Sequence, residues 1–237
     1  ATTATGTTKT IHDITVQDAT HAWAVAEDGV VRFYNGTSWS AQNVGGTTAS
    51  LYGVKAVSTT SVFAVGDRGL QGHYNGSAWA VTTAGTPNVN LNDVWAVDSG
   101  DVWMVGDAGA ALRYYNGAIA STSTGVFTNL NSVCGLNDGN RWAVGDSGTI
   151  LRWTGSGWAQ EASGVTVKLN GVWASSEDDV WAVGAAGTIL HWDGSLWTTV
   201  ASGTKAELRG IWGDSPDEVW AVGAGGVIRA WDGSDWV

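Results

Sequence analysis

The segment Trp-Ala-Val-Gly, intact or nearly so, begins at Trp23, Phe63, Trp103, Trp142, Trp181 and Trp220, with spacings of 40, 40, 39, 39 and 39 residues. Self-similarity at this period restricts a chain to repeat architectures, in which each copy is one supersecondary unit stacked on its neighbours. Other positions recur in phase. A Gly stands six residues into every copy, at Gly29, Gly69, Gly109, Gly148, Gly187 and Gly226. Upstream runs an aliphatic pair: Ile11/Ile14, Leu51/Val54, Leu91/Val94, Leu130/Val133, Leu169/Val172 and Leu208/Ile211. Downstream comes an aromatic residue, a short Asn/Asp/Thr-Gly turn and a Trp, as in Tyr34-Asn35-Gly36 leading to Trp39 and Trp192-Asp193-Gly194 leading to Trp197.

Each copy parses into four short strands, which in the fifth are expected at 169–175, 179–184, 188–192 and 196–201. The Gly, Asp and Ser between them suit tight hairpins, and no segment carries a helical period. Four strands in about 40 residues is the size of a propeller blade. The fold expected is therefore all-β: a six-bladed β-propeller in one domain spanning 1–237. Ring closure is expected too. Read circularly, Trp236 to Ile11 is 12 steps, against 12 from Trp39 to Leu51 and 11 from Trp197 to Leu208. Residues 1–5 should then complete the outer strand that Trp236 and Val237 begin, removing two exposed sheet edges.

Blade three drifts from the pattern. Aligned on Asn116-Gly117, it has an extra residue at Tyr114-Tyr115 and places Ala120 where other blades have Trp, while Phe63 replaces Trp in blade two. If ligand sites follow the blades, the one at blade three should be missing.

Composition bounds the chemistry. With 11 Lys and Arg against 22 Asp and Glu, a formal charge of −11 and a pI near 4.5, the chain repels phosphate backbones and anionic lipid. Nucleic acid and membrane insertion are not expected. No apolar stretch approaches the ~18 residues of a spanning helix, so a soluble monomer is expected. Cys134 stands alone, which excludes an internal disulfide and a cysteine metal cluster, and it reads as a small buried hydrophobe. The Thr, Ser, Gly and Asn content with few Lys suggests a secreted or surface-exposed bacterial protein. No leader precedes Ala1, so an export signal is either removed or absent.

The Trp23 series alternates with Ala and Val on the second strand and reads as packing between blades. Trp95, Trp173 and Trp212 on the innermost strand read the same way, with a channel-lining site as the alternative. The outer pairs admit two readings. Tyr34/Trp39, Tyr74/Trp79, Trp153/Trp158, Trp192/Trp197 and Trp231/Trp236 flank tight turns and can stack across the hairpin. Half exposed at the rim, they can instead offer an apolar face to a sugar, with Asn35, Asn75, Asp193 and Asp232 supplying hydrogen bonds.

The run Asp-Val-Trp-Ala-Val-Gly through Trp-Asp-Gly-Ser-Leu-Trp at 179–197 resembles blades of bacterial propeller lectins that bind fucose and related sugars. It is also similar to the BNR (Asp-box) repeats of sialidase-like propellers, without their full Ser-x-Asp-x-Gly-x-Thr-Trp box. The lectin resemblance implies shallow, repeated sugar sites between adjacent blades.

Catalysis finds little support. His12, His21, His73 and His191 occupy four different repeat positions and form no metal-ligand spacing. No nucleophile elbow or phosphate loop occurs. Arg32, Arg113, Arg152 and Arg229 sit on third strands of separate blades and would not converge into a sialidase triad. Glu27, Asp67, Asp107 and Asp146 share one repeat position; each reads as a hairpin turn, or together as a carboxylate arc attracting a cation or basic partner. The expectation is a non-catalytic binding module without cofactor or metal, most simply a multivalent carbohydrate binder gaining strength by avidity. The alternative is a scaffold for protein–protein interaction or assembly.

Overall fold

The computed structural model describes residues 4–83, 88–136 and 139–237. They form six antiparallel sheets whose strands pair in sequence order, from innermost to outermost. Alternating apolar residues in short runs broken by Gly-containing turns leave no alternative to hairpins. In blade five the strands are Leu169–Ser176, Asp179–Gly184, Ile189–Trp192 and Trp197–Val200, within two residues of the expected bounds. Blade six has three full strands, and its fourth is reduced to a bridge between Trp231 and Trp236. There Ala230 and Val237 exchange two backbone hydrogen bonds of 3.0 and 2.9 Å. The strand completion expected of residues 1–5 lies outside the described residues at 1–3, and Ala4 and Thr5 belong to no strand.

The chain divides into two compact units, Ala1–Gly106 with Ala110–Ser121, and Asp107–Gly109 with Thr122–Val237. In the first, the innermost strands Ile11–Asp18, Leu51–Ser58 and Leu91–Asp98 pack in series. The Val54 N–H donates to Asp13 Oδ2 (2.8 Å) and the Ala56 N–H to Thr15 Oγ1 (3.1 Å), tying blade two to blade one. A Cβ on Gly53 would lie 2.9 Å from the Asp93 Cα, so only Gly lets blade three's inner strand come this close. In the second unit, Leu130–Gly135, Leu169–Ser176 and Leu208–Ser215 pack likewise. Asn131 donates to the Leu169 carbonyl (2.8 Å) and Asn170 to that of Leu208 (2.7 Å).

The second-strand aromatics of blades one to five are core, as their alternation predicts, while Trp220 of blade six is half-buried. Trp23, Trp103, Trp142 and Trp181 are fully buried, and Cys134 is buried as well. Ile14 on blade one is 53% exposed, whereas the equivalent Val54 is 4% exposed. On blade six Val222 and Ile228 are exposed, whereas the equivalent Val183 and Ile189 are wholly buried.

Candidate functional site: an apolar slot between blades two and three

The outer hairpins are closed by their Asx residues. Asn75 Oδ1 accepts the N–H groups of Ser77 and Ala78 at 3.0 Å, and Asn35 does the same for Thr37 and Ser38. Gly76 sits at φ +92°, which a side chain rarely tolerates. Tyr34 and Tyr74 each donate their hydroxyl to the carbonyl of the turn glycine, at 2.8 Å. Asp193 accepts from the Ser195 hydroxyl, the Leu196 N–H and the Ser195 N–H, which hold its carboxyl down at about 2. Asp232 is lowered in the same way, first by the Asp235 N–H. In all four Asx side chains Oδ1 closes its own turn.

In blades two, five and six the outer aromatics point toward the preceding blade. Within each hairpin the two rings pack at a tilt or edge-on, with centroid separations from 5.2 Å (Tyr34–Trp39) to 5.9 Å (Trp231–Trp236). Trp79, Trp192, Trp197 and Trp236 are buried; Tyr34, Trp39, Tyr74, Trp153, Trp158 and Trp231 are half-buried. Trp79 joins the cluster around Trp23 of blade one, and its Nε1 donates to Gln42 Oε1 at 2.9 Å. Trp158 Nε1 donates to Thr122 Oγ1 at 3.1 Å. Trp236 stands edge-on to Trp181 of blade five at 5.4 Å. These indoles are wedges. The buried four are not half exposed at the rim, and their packing removes ~150–250 Å² each from water.

Blade three lacks the wedge. Its hairpin pairs Tyr114 with Ile119 and Tyr115 with Ala118, so Ile119 takes the place of Trp39 and Trp79, and Ala120 does not. No residue is extra at Tyr114-Tyr115. Instead Asn116 and Gly117, both at positive φ (50° and 85°), make a two-residue turn where other blades use four. Blade two meanwhile carries Phe63 where its neighbours bury Trp. The two shortfalls face each other.

Between them lies a slot of about 180 Å³, lined by Phe63, His73, Thr82, Met104, Tyr114 and Ile119 among others. Cavities of ~150 Å³ lined by apolar side chains admit benzene. One wall is a platform: the Phe63 and His73 rings lie parallel, 3° apart in plane, with centroids at 4.4 Å. His73 Nε2 is 3.0 Å from Ser61 Oγ, and burial lowers the imidazole below its ordinary value, so it is neutral at pH 7. Met104 stands where the other five blades carry Ala and supplies a deformable apolar wall. The slot is thus apolar and uncharged. Sequence reasoning missed it, although Phe63 and the missing Trp were both visible as departures from the repeat.

The remaining expected groups are engaged locally. Asp67 accepts from the Ser50 N–H (2.8 Å) and the Tyr52 hydroxyl (2.6 Å), Asp146 from Asn131 (3.0 Å), and Glu27 from the Thr10 N–H (3.3 Å). These bonds tie the loop after the second strand to its own blade's inner strand. Arg113 pairs in bidentate fashion with Asp101 at 2.7 and 3.0 Å and lies over the Trp103 and Tyr115 rings. Arg32 and Arg229 donate to the carbonyls of Gly6 (2.6 Å) and Gly203 (3.0 Å). His191 is 2.7 Å from Asp179, beneath the Trp181 ring, and His21 sits at 2.9 Å from Asp18. Among the described residues no three His, Cys, Asp or Glu side chains converge as metal ligands. No described helix is long and apolar enough to cross a membrane.

No family model matches this chain, and no curated protein matches its sequence. Solved structures match its backbone. It is similar to YCF48 bound to D1 peptide, at 18% identity and TM-score 0.77 over 98% of this chain and 81% of that one. YCF48 from Cyanidioschyzon merolae matches at 17% and 0.74, over 98% and 85%. The WD40 β-propeller domain of Doa1 matches at 14% and 0.79, over 97% and 81%. The fold is a β-propeller. At these identities the likeness carries the fold and nothing finer, so residue roles rest on the geometry above.

Proposed function

We propose that this propeller is a non-catalytic module for binding protein, with the slot between blades two and three as its docking point. One observation carries the reading: the outer indoles Trp79, Trp192, Trp197 and Trp236 are spent on packing, while the junction between blades two and three keeps an open, apolar, uncharged recess. Protein ligands dock side chains into such recesses, and aromatic anchors in desolvated pockets dominate interface energetics. The solved neighbours agree in kind, since one of them is a propeller with a bound peptide. Sugar binding through repeated rim platforms finds less support, because it needs exposed aromatic faces and four of the outer indoles are buried.

The test sets the two functions side by side. The labelled protein is applied to a glycan array and, separately, used to select from a random peptide display library. Enrichment of a peptide consensus with saturable binding supports the module. Specific glycan binding without any selected peptide would sink it and restore the carbohydrate reading.

A further inference from the structure

We infer that the slot receives a tryptophan side chain carried by a partner polypeptide, which takes the place of the wedge that blade three does not supply. The inference rests on the protein-binding reading and specifies its partner. The template is internal. Between blades one and two, and again between blades five and six, an outer-strand indole from the following blade fills this position: Trp79 beside Trp23, and Trp236 beside Trp181. Only the slot's own junction offers Ile119 instead.

The acceptor for the indole N–H is also in place. Val31 pairs with Gln42 and Gln71 with Thr82, so Thr82 occupies in blade two the position from which Gln42 accepts the Trp79 Nε1–H. Thr122, three residues beyond Ile119 as Thr82 is beyond Trp79, accepts from Trp158 with a threonine hydroxyl. A hydroxyl oxygen has two lone pairs and accepts even when its own proton is engaged. The Phe63–His73 platform presents a flat wall for stacking, and Met104 brings a sulfur to the same slot, a favourable neighbour for an aromatic. A neutral His73 places no cation there. The formal charge of −11 adds a preference for partners with Lys or Arg near the tryptophan.

The test uses the whole chain and N-acetyl-tryptophanamide as probe, followed by methyl and amide NMR. Saturable shifts are expected at Ile119, Met104, Phe63 and His73. Ile119→Trp, which restores the repeat's own wedge, should weaken the probe at least about tenfold while raising the melting temperature. Thr82→Val keeps the shape and removes the acceptor. It should weaken the tryptophan probe by about tenfold and leave a naphthylalanine probe, which has no N–H, unchanged. This second variant decides the matter if Ile119→Trp fails to fold. Shifts mapping elsewhere, or loss of both probes equally in Thr82→Val, would overturn the inference. So would selected peptides that bind wild type and folded Ile119→Trp alike, although the broader protein-binding reading would then stand. Failure of the probe together with an empty peptide selection would remove both.

Discussion

Two glycines at the same repeat position allow the packing of one blade on the next to be weighed separately from backbone strain. Gly187 lies at φ +73° and Gly226 at φ +76°, so an alanine at either meets the same left-handed conformation. That costs about 1–2 kcal/mol for an L residue, offset by ~0.4–1 kcal/mol from the stiffer unfolded chain. Among the described residues nothing lies within 4 Å of a Cβ added at Gly226, so Gly226→Ala should cost only about 0.5–1 kcal/mol by these two effects. At Gly187 the same Cβ would sit 2.1 Å from the Thr204 carbonyl oxygen and 3.1 Å from Ser202 Oγ. Separation to ordinary contact requires the carbonyl to retreat by more than ~1 Å. It is not free to do so. Ser202 is buried, its hydroxyl donates to that same carbonyl (3.1 Å), and it accepts the Thr204 N–H (3.3 Å). Overpacking of this kind costs ~1–3 kcal/mol, and breaking the two hydrogen bonds adds about 1 kcal/mol each.

Gly187→Ala should therefore lose about 3.5–6 kcal/mol in all. For a chain of this size that is a fall of roughly 10–18 °C in melting temperature, against about 2–3 °C for Gly226→Ala. Differential scanning calorimetry or urea titration of the two variants beside wild type reads the difference directly. Equal losses would refute the reasoning, because strain alone would then account for both and the Thr204 carbonyl would not be the constraint.

Other expectations follow from particular contacts. Burial and the neighbouring Asp93 carboxylate push Asp13 up to about 7, against the pull of the Val54 and Ile14 N–H groups and Lys55. Since the folded value lies above the unfolded one, folding is penalised as pH climbs from about 4 to about 7, by at most roughly 4 kcal/mol. Asp13→Asn, whose amide oxygen still accepts the Val54 N–H, should match wild type near pH 4 and exceed it at pH 8 by urea midpoint; a gap independent of pH would contradict this. Trp181→Ala empties a fully buried site against Trp231, Trp236 and His191 and should cost about 3–5 kcal/mol in equilibrium unfolding. Val54→Ala should cost about 1–3 kcal/mol, whereas Ile14→Ala at the equivalent but exposed position should cost under about 0.5 kcal/mol. Similar losses for that pair would show Ile14 to be covered in solution.

The blades were legible because their signals are local and repeated six times. The Trp-Ala-Val-Gly strand, the aliphatic pair and the Gly turns each specify a hairpin without reference to anything distant, and the strand bounds of blade five follow to within two residues. The fate of the outer aromatics was not legible. An edge aromatic that stacks across its own hairpin looks the same in sequence whether its other face meets water or the preceding blade. The choice depends on how the following sheet is presented, as Trp79 shows by reaching Gln42, 37 residues earlier.

Blade three shows how one turn can mislead an alignment. Matching Asn116-Gly117 to Asn35-Gly36 slips the register by one residue, and a one-residue slip moves every side chain of a strand to the other face. With the pairing of Tyr114 to Ile119 restored, the departure at Ile119 comes to lie on the face toward blade two, where Phe63 is also a departure. Taken singly, each is a conservative change that a buried interface absorbs by collapse. Together they remove two indoles from one junction, and the rigid hydrogen-bonded sheets on either side cannot close the gap by moving side chains alone. Met104, enlarged from the Ala of every other blade, reads as partial compensation on the same wall. Because it fills only part of the space, this junction has traded packing for an opening, and that opening is what distinguishes it from the packed junctions beside Trp23 and Trp181.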